Sequence, residues 1–393
     1  MRKGVDKRAM AVLSAGHLFT DVNQGAVAAL IPFLVVERGL SLAAAGTLVL
    51  AATLSSSIVQ PIFGYLSDHR PLPVLMPLGV LLGGLGIALV GVAPSYPLIL
   101  ACVVVSGLGV AAFHPESARF ANYVSGARRA RGMSLFSVGG NAGFALGPVI
   151  ATPLVLYLGL PGDLFLVLPA LLMCLVLLYE QPRLLTFRPE AIEPAGAKGA
   201  GSPERWGAFA RMVAVVSVRS FVYFGLVTFV SSYYIEVFGV STALANAALS
   251  VMLFAGAVGT LTMGPLADRA GRPAVLAGSM LLLTPMIFAF TLAGPLTGMV
   301  LLALIGAATI GTFGVTVVMG QEYLPGRIGV AAGVTLGLSI SLGGLGAPLF
   351  GAVADSFGLH AMMLTLAALP VVGLALSLTL PRGQRSGPNR ASV

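Results

Sequence analysis

Gly64-Tyr65-Leu66-Ser67-Asp68-His69-Arg70-Pro71-Leu72-Pro73 is matched, two hundred positions later, by Gly264-Pro265-Leu266-Ala267-Asp268-Arg269-Ala270-Gly271-Arg272-Pro273. Gly, Leu, Asp and Pro recur in one frame. The same offset pairs Tyr123 with Tyr323, Gly126 with Gly326, Gly143 with Gly343 and Pro148 with Pro348. Glycine is so common here, 50 of 393 residues, that its matches alone carry little weight. Asp, Tyr and Pro at a single register are much harder to obtain by chance, and they read the chain as a duplication.

The material between these motifs says what was duplicated. Hydrophobic residues make up 57% of the chain and charged residues only 9%, whereas a water-soluble domain carries about 25% charged residues. A wetted surface cannot be built from so few charges. Apolar runs of spanning length, about 20 residues each, fall near 10–36, 43–67, 73–92, 96–123, 132–157, 163–180, 210–237, 242–266, 273–293, 297–320, 329–354 and 358–380, separated by Gly, Pro and charge. The expected fold is an all-α membrane protein of twelve transmembrane helices in two pseudo-symmetric six-helix bundles. Residues 1–180 and 210–393 form the halves, and the Pro/Gly/charge-rich stretch 181–209 forms the linker. The basic start Met1–Arg8 resembles a signal peptide, but the following stretch contains His17, Asp21, Asn23 and Gln24, so it reads as a retained first helix.

Net charge is +8, yet the Lys and Arg lie in short clusters between apolar runs rather than on one element, which argues for a topology signal and against a nucleic-acid partner. With the N-terminus in the cytoplasm, 19 of the 22 basic residues fall in inside segments. That bias places both termini in the cytoplasm of a multi-pass protein of the inner membrane. Cys102 and Cys174 sit in apolar stretches and read as small core residues. No G-x-S-x-G, H-E-x-x-H, Cys/His cluster or G-x-x-x-x-G-K-[ST] loop occurs, so the chain is not expected to be an enzyme, a nucleotide-driven pump or the holder of a metal or cofactor.

The stretch Gly264 to Pro273 resembles the loop signature of the major facilitator superfamily, and Gly64 to Arg70 is a worn copy lacking the later Gly-Arg. In that superfamily the loop latches the cytoplasmic side, so the resemblance gives Asp68, Arg70, Gly264, Asp268, Arg269 and Arg272 a gating role. Gly16-His17 to Gly25, Gln60-Pro61, Phe113-His114-Pro115-Glu116 and Gly139-Gly140-Asn141 to Pro148 are similar to the fosmidomycin resistance group of the superfamily. Members of that group are regarded as proton-coupled exporters of small drugs. Gly139, Gly143 and Gly147-Pro148 resemble the antiporter motif, with small residues every fourth position letting helices approach and Pro148 bending one. Ser134, Ala151 and Thr152 depart from that motif, and the Arg that drug antiporters carry on the fourth span falls on Val103.

An ionisable side chain inside a bilayer is costly and marks a pathway or a buried pair. On the first span His17, Asp21 and Gln24 share one helical face at i, i+4 and i+7. On the fourth, His114, Glu116 and Arg119 lie at similar depth, as does Arg219 on the seventh. One polar layer collecting them all is the expectation. Asp21, His17, His114 and Glu116 would exchange the proton, histidine titrating near neutral pH by itself. Arg219 and Arg119 would attract an anionic or polar solute, with Gln24, Asn141, Phe113 and Tyr223 lining its site. The alternative is a structural Glu116–Arg119 pair and a His17 that only bonds its neighbours. Glu37, Glu236, Glu322 and Asp355, at span ends, read as solvated.

The expected function is a secondary transporter, a proton-coupled antiporter exporting a small drug-like or anionic solute by alternating access as a monomer. The alternative is a nutrient importer or facilitator of the same fold, for a sugar, organic anion or metal complex.

Overall fold

A computed structural model describes residues 4–69, 72–126, 128–187, 204–325, 327, 330–331 and 333–381. Gly39 and Gly239 stop the first helix of each half in the same way. Both take a left-handed conformation, φ 63° and 65°, that glycine adopts without a Cβ penalty. Two residues on, Ser41 and Ser241 each cap the next helix with a side-chain oxygen that accepts a backbone N–H. The two-hundred-residue offset thus extends to the capping chemistry.

All regular structure among the described residues is helical: α1 (Lys7–Arg38), α2 (Leu42–Ser57), α3 (Gln60–His69), α4 (Leu75–Ala88), α5 (Tyr96–Val124), α6 (Arg129–Leu158), α7 (Val167–Leu185), α8 (Trp206–Phe238), α9 (Thr242–Ala270), α10 (Arg272–Thr291), α11 (Pro295–Gly311), α12 (Phe313–Tyr323) and α13 (Ser339–Ser377), with short 3-10 turns and a π-helical stretch Gly333–Leu338. Among the described residues eleven helical segments are long and apolar enough to cross a membrane, α2 with α3 and α11 with α12 counting as one each. The last, α13, turns at Gly358, φ 83° and ψ 160°. Twelve crossings result.

Two spans read as continuous are broken. The second parts between Ser57 and Gln60, next to Pro61, which has no N–H to give back to the preceding turn. The tenth parts at Thr312, between Gly311 and Phe313.

In lipid, helices gain little from hiding apolar surface from each other, so close packing through small residues must hold them. In the first half α6 lies along α1, and in the second α13 lies along α8. A Cβ on Gly139, Gly143 or Gly147 would strike the backbone of α1 at Ser14, Leu18 and Gly25–Ala26. A Cβ on Gly343, the repeat partner of Gly143, would likewise strike α8, at Ser220 and Phe224.

Candidate functional site

Between the halves lies a cavity of about 800 Å³. Its first-half wall includes His17, Asp21 and Gln24 of α1, His114 of α5, and Asn141 and Phe144 of α6; its second-half wall includes Tyr223 of α8, Thr260 of α9, Ile310 of α11 and Phe313 and Gly314 of α12.

Three of the ionisable groups meet at one point of this wall. Asp21 lies 3.3 Å from His17 Nε2 through one carboxylate oxygen and 3.3 Å from His114 Nε2 through the other. The two Nε2 atoms are 3.1 Å apart. Each ring's other nitrogen is committed: His17 Nδ1 donates to the Phe136 carbonyl and His114 Nδ1 to the Val110 carbonyl, both at 2.9 Å. A carbonyl only accepts, so both Nδ1 atoms carry hydrogen. Both Nε2 lone pairs therefore face each other and the carboxylate. The cluster is partly open to the cavity, with side chains 12–20% exposed, and its donor atoms lie within 4.8 Å of one another, close enough to share one small cation. Gly140 makes the room. A Cβ there would run into His17 Nε2 and Asp21 Oδ2.

Polar contacts join the two halves at the end where α1 stops and α2 begins. Asp355 accepts from Leu42 N and Ala43 N, each at 2.9 Å, so a carboxylate from the second half caps α2 of the first. Buried Asn246 of α9 donates to the Ala29 carbonyl at 3.1 Å and to Thr152 Oγ1 at 2.8 Å. Gly46 and Gly351 allow α2 and α13 to touch backbone to backbone.

The sequence profile of the Major Facilitator Superfamily matches residues 13–345. The chain belongs to the major facilitator superfamily. Its homologues are transporters, so this superfamily member is a multi-pass membrane transporter acting on small solutes, not an enzyme.

Two relatives match along nearly their whole length. An uncharacterized MFS-type transporter, YfnC, of Bacillus subtilis (strain 168) is 34% identical, covering 95% of this chain and 93% of its own. The fosmidomycin resistance protein of Escherichia coli (strain K12) is also 34% identical, covering 95% and 92%. Among solved structures, a bacterial homolog of the human lysosomal transporter Spinster, in an inward-facing and occupied conformation, superposes with a TM-score of 0.77 at 17% identity, over 96% of this chain and 97% of that one. A variant of the nucleoside transporter NupG does so with 0.73 at 16%, over 95% and 99%. These structures share the fold.

The single polar layer expected of this transporter is smaller than the sequence suggested. Glu116, 1% exposed, lies 3.5 Å from Arg119 and outside the cavity lining. The reason is helical geometry, since two residues beyond His114 is the far side of α5. Phe113 is also off the lining; its ring packs beside His17 from behind. Arg219 is 0% exposed and sealed under Phe313, its guanidinium 3.9 Å from that ring. Gln24, Asn141 and Tyr223 do line the cavity.

The repeated motif takes a form that its reading as a loop missed. Gly264 and Asp268 lie within α9, and Gly264 has nothing within 4 Å of a built Cβ. Asp268, with its side chain 70% exposed, pairs with Arg272 at 3.4 Å, and Arg272 pairs with Glu322 at 2.5 Å. Arg269 is exposed. These partners all belong to the second half, so no latch to the first half forms here among the described residues. The Asp68 side chain and Arg70 lie outside the described residues.

Sequence reasoning missed Gly140, Asn246 and Asp355. Asp355 is exposed, as its span-end position implies, and the fold also brings it to the start of α2.

Proposed function

We propose that this transporter is a proton-coupled antiporter of the inner membrane that exports a small solute by alternating access, with both termini in the cytoplasm. The observation that carries the reading is the facing pair of Nε2 atoms beside Asp21. Two lone pairs 3.1 Å apart beside a carboxylate repel unless a proton lies between them. With one proton bound, one ring donates to the other or to Asp21, and the imidazolium and carboxylate neutralise each other.

Removing that proton leaves three acceptors together at the cavity wall. A solute that offers N–H or O–H groups can then take the proton's place, and such competition is the minimal physics of exchange. The cavity's lining reaches Met133 and Ser134 on α6 and Val318 on α12, toward the end where α1 starts, while Asp355 and Asn246 hold the halves together at the other. On this reading the bundles 1–180 and 210–393 rock as units, and solute enters from the cytoplasm. The basic clusters in the inside segments support the orientation, and the resistance protein among the relatives supports export.

The test is solute flux in proteoliposomes under an imposed pH gradient, screened for drugs, organic anions and sugars. Asp21→Asn is expected to abolish gradient-driven flux while keeping a normal melting profile. Flux in that variant equal to the parent's removes the cluster from the mechanism, and net uptake with the gradient selects import instead.

A further inference from the structure

Arg219 is the largest side chain among the described residues that is buried below 2% exposure, and it holds a charge inside a spanning helix, where charge is costly. A guanidinium has five N–H donors in a fixed fork. Here Nη1 donates to Thr312 Oγ1 at 3.0 Å and Thr316 Oγ1 at 3.4 Å. Nε and Nη2 have no partner among the described residues. A strut that merely tied α8 to the tenth span would be expected to spend its donors, because a buried donor left without a partner is costly, and more so when it is charged.

The vacant edge is the informative one. Nε and Nη2 carry parallel N–H bonds, the side-on fork that grips both oxygens of a carboxylate or phosphate group. Phe313 covers the guanidinium at 3.9 Å and presents itself to the cavity. Tyr223, one turn along α8 from Arg219, also lines the cavity and meets Phe313 edge-on at 5.9 Å. The cation thus lies one aromatic ring behind the wall.

That wall is also where the tenth span is broken. Thr312, which holds Nη1, separates α11 from α12, Gly311 and Gly314 flank the break, and Gly314 has open space beside it. Bending at Thr312 carries Phe313 with it.

We infer that Arg219 is a latent oxyanion site, covered by Phe313 in this conformation and uncovered when the tenth span bends at Thr312, where the Nε/Nη2 fork takes a carboxylate or phosphate-like group. The inference rests on the transporter reading for its occupant, the transported solute, but not on the proton site.

The experiment uses the full-length protein purified in lipid-free detergent, phenylglyoxal as an arginine reagent, and peptide mass spectrometry to follow Arg219. Inorganic phosphate and acetate are the anion probes and tetraphenylphosphonium the cationic control. Arg219 of the parent should label slowly; in Phe313→Ala it should label roughly tenfold faster or more, and phosphate should suppress that labelling. Arg219→Gln and Arg219→Lys should each weaken phosphate binding by roughly tenfold or more, the loss expected for a charge-assisted fork. Lysine keeps the charge and removes the fork. If the Gln variant does not fold, the Lys variant and the labelling of Phe313→Ala decide the matter.

Labelling that phosphate and acetate leave untouched, or equal protection by tetraphenylphosphonium, overturns the site. So does protection by added phosphatidylglycerol without protection by soluble anion, which assigns the fork to a lipid headgroup. Asp21→Asn separates the two readings: phosphate protection should persist in it although pH-driven flux is lost. Lost protection with intact flux in the parent would sink the oxyanion site and leave proton coupling standing.

Discussion

Asp355 sits on α13, in the second half, with its carboxylate on the first backbone N–H groups of α2, at Leu42 and Ala43 in the first half, 2.9 Å from each. A carboxylate there meets two orphan donors and the positive end of the helix dipole together. At the repeat position Val155 has no such group, so the contact is one-sided. It exists only while this end is closed. Asp355→Ala should therefore favour the form open at this end by about 1 kcal/mol, the usual worth of a helix cap, or roughly fivefold in the ratio of the two forms. Spin-label distances between residues 40 and 356 should lengthen in the variant. An unchanged distance distribution counts against Asp355 as a closing contact.

Asn246 works at the same end in drier surroundings. Its amide reaches the Ala29 carbonyl and Thr152 across the interface between halves. Interhelical hydrogen bonds in membranes are worth about 0.6 kcal/mol on average and up to about 1.7. Asn246→Ala should shift the balance in the same direction as Asp355→Ala. The double variant should be close to additive, because Asn246 and Asp355 share no partner. A double variant no different from either single would mean that one of the two contacts is idle.

Gly140→Ala separates stability from chemistry. Alanine in place of glycine inside a helix favours the helix by roughly 0.5–1 kcal/mol, so α6 itself should not suffer. The new methyl enters the space now held by His17 Nε2 and Asp21 Oδ2. The expected outcome is a normal melting temperature with pH-gradient-driven flux lowered by roughly tenfold or more. Parent-like flux would mean that the arrangement of the histidine pair does not matter for coupling.

The fold was legible from the sequence because composition and a fixed repeat both act at long range: too few charges for a wetted surface, and one offset that returns at Gly39/Gly239 and Ser41/Ser241 as matching caps. His17 and Asp21 were legible as neighbours because they are four residues apart on one helix. That His114 completes them, rather than Glu116, depends on the rotation of α5, which the sequence does not state. Arg219 shows the other limit: its residue type announces a costly buried charge, but the ring that seals it belongs to a span 94 positions away. Asp355 looked like any solvated acid at a span end, because its partners are backbone groups and carry no mark in the sequence.

Gly143 and Gly264 make opposite forecasts from one residue type. A Cβ on Gly143 would strike the backbone of α1 at Leu18, a contact that can relax only if α1 and α6 move apart; around Gly264 nothing lies within 4 Å. Gly143→Val should cost about 1–3 kcal/mol through overpacking and lower the melting temperature in detergent by several degrees. Gly264→Val should leave the melting temperature close to the parent's, since its side of α9 is unoccupied in this conformation. If the motif around Asp268 packs against the first half when the terminal end closes, the same Gly264→Val variant should be trapped open at that end. Cysteine probes placed beside Thr260 would then stay reactive under conditions that protect them in the parent. Equal protection in both proteins would show that this glycine is not needed for closure.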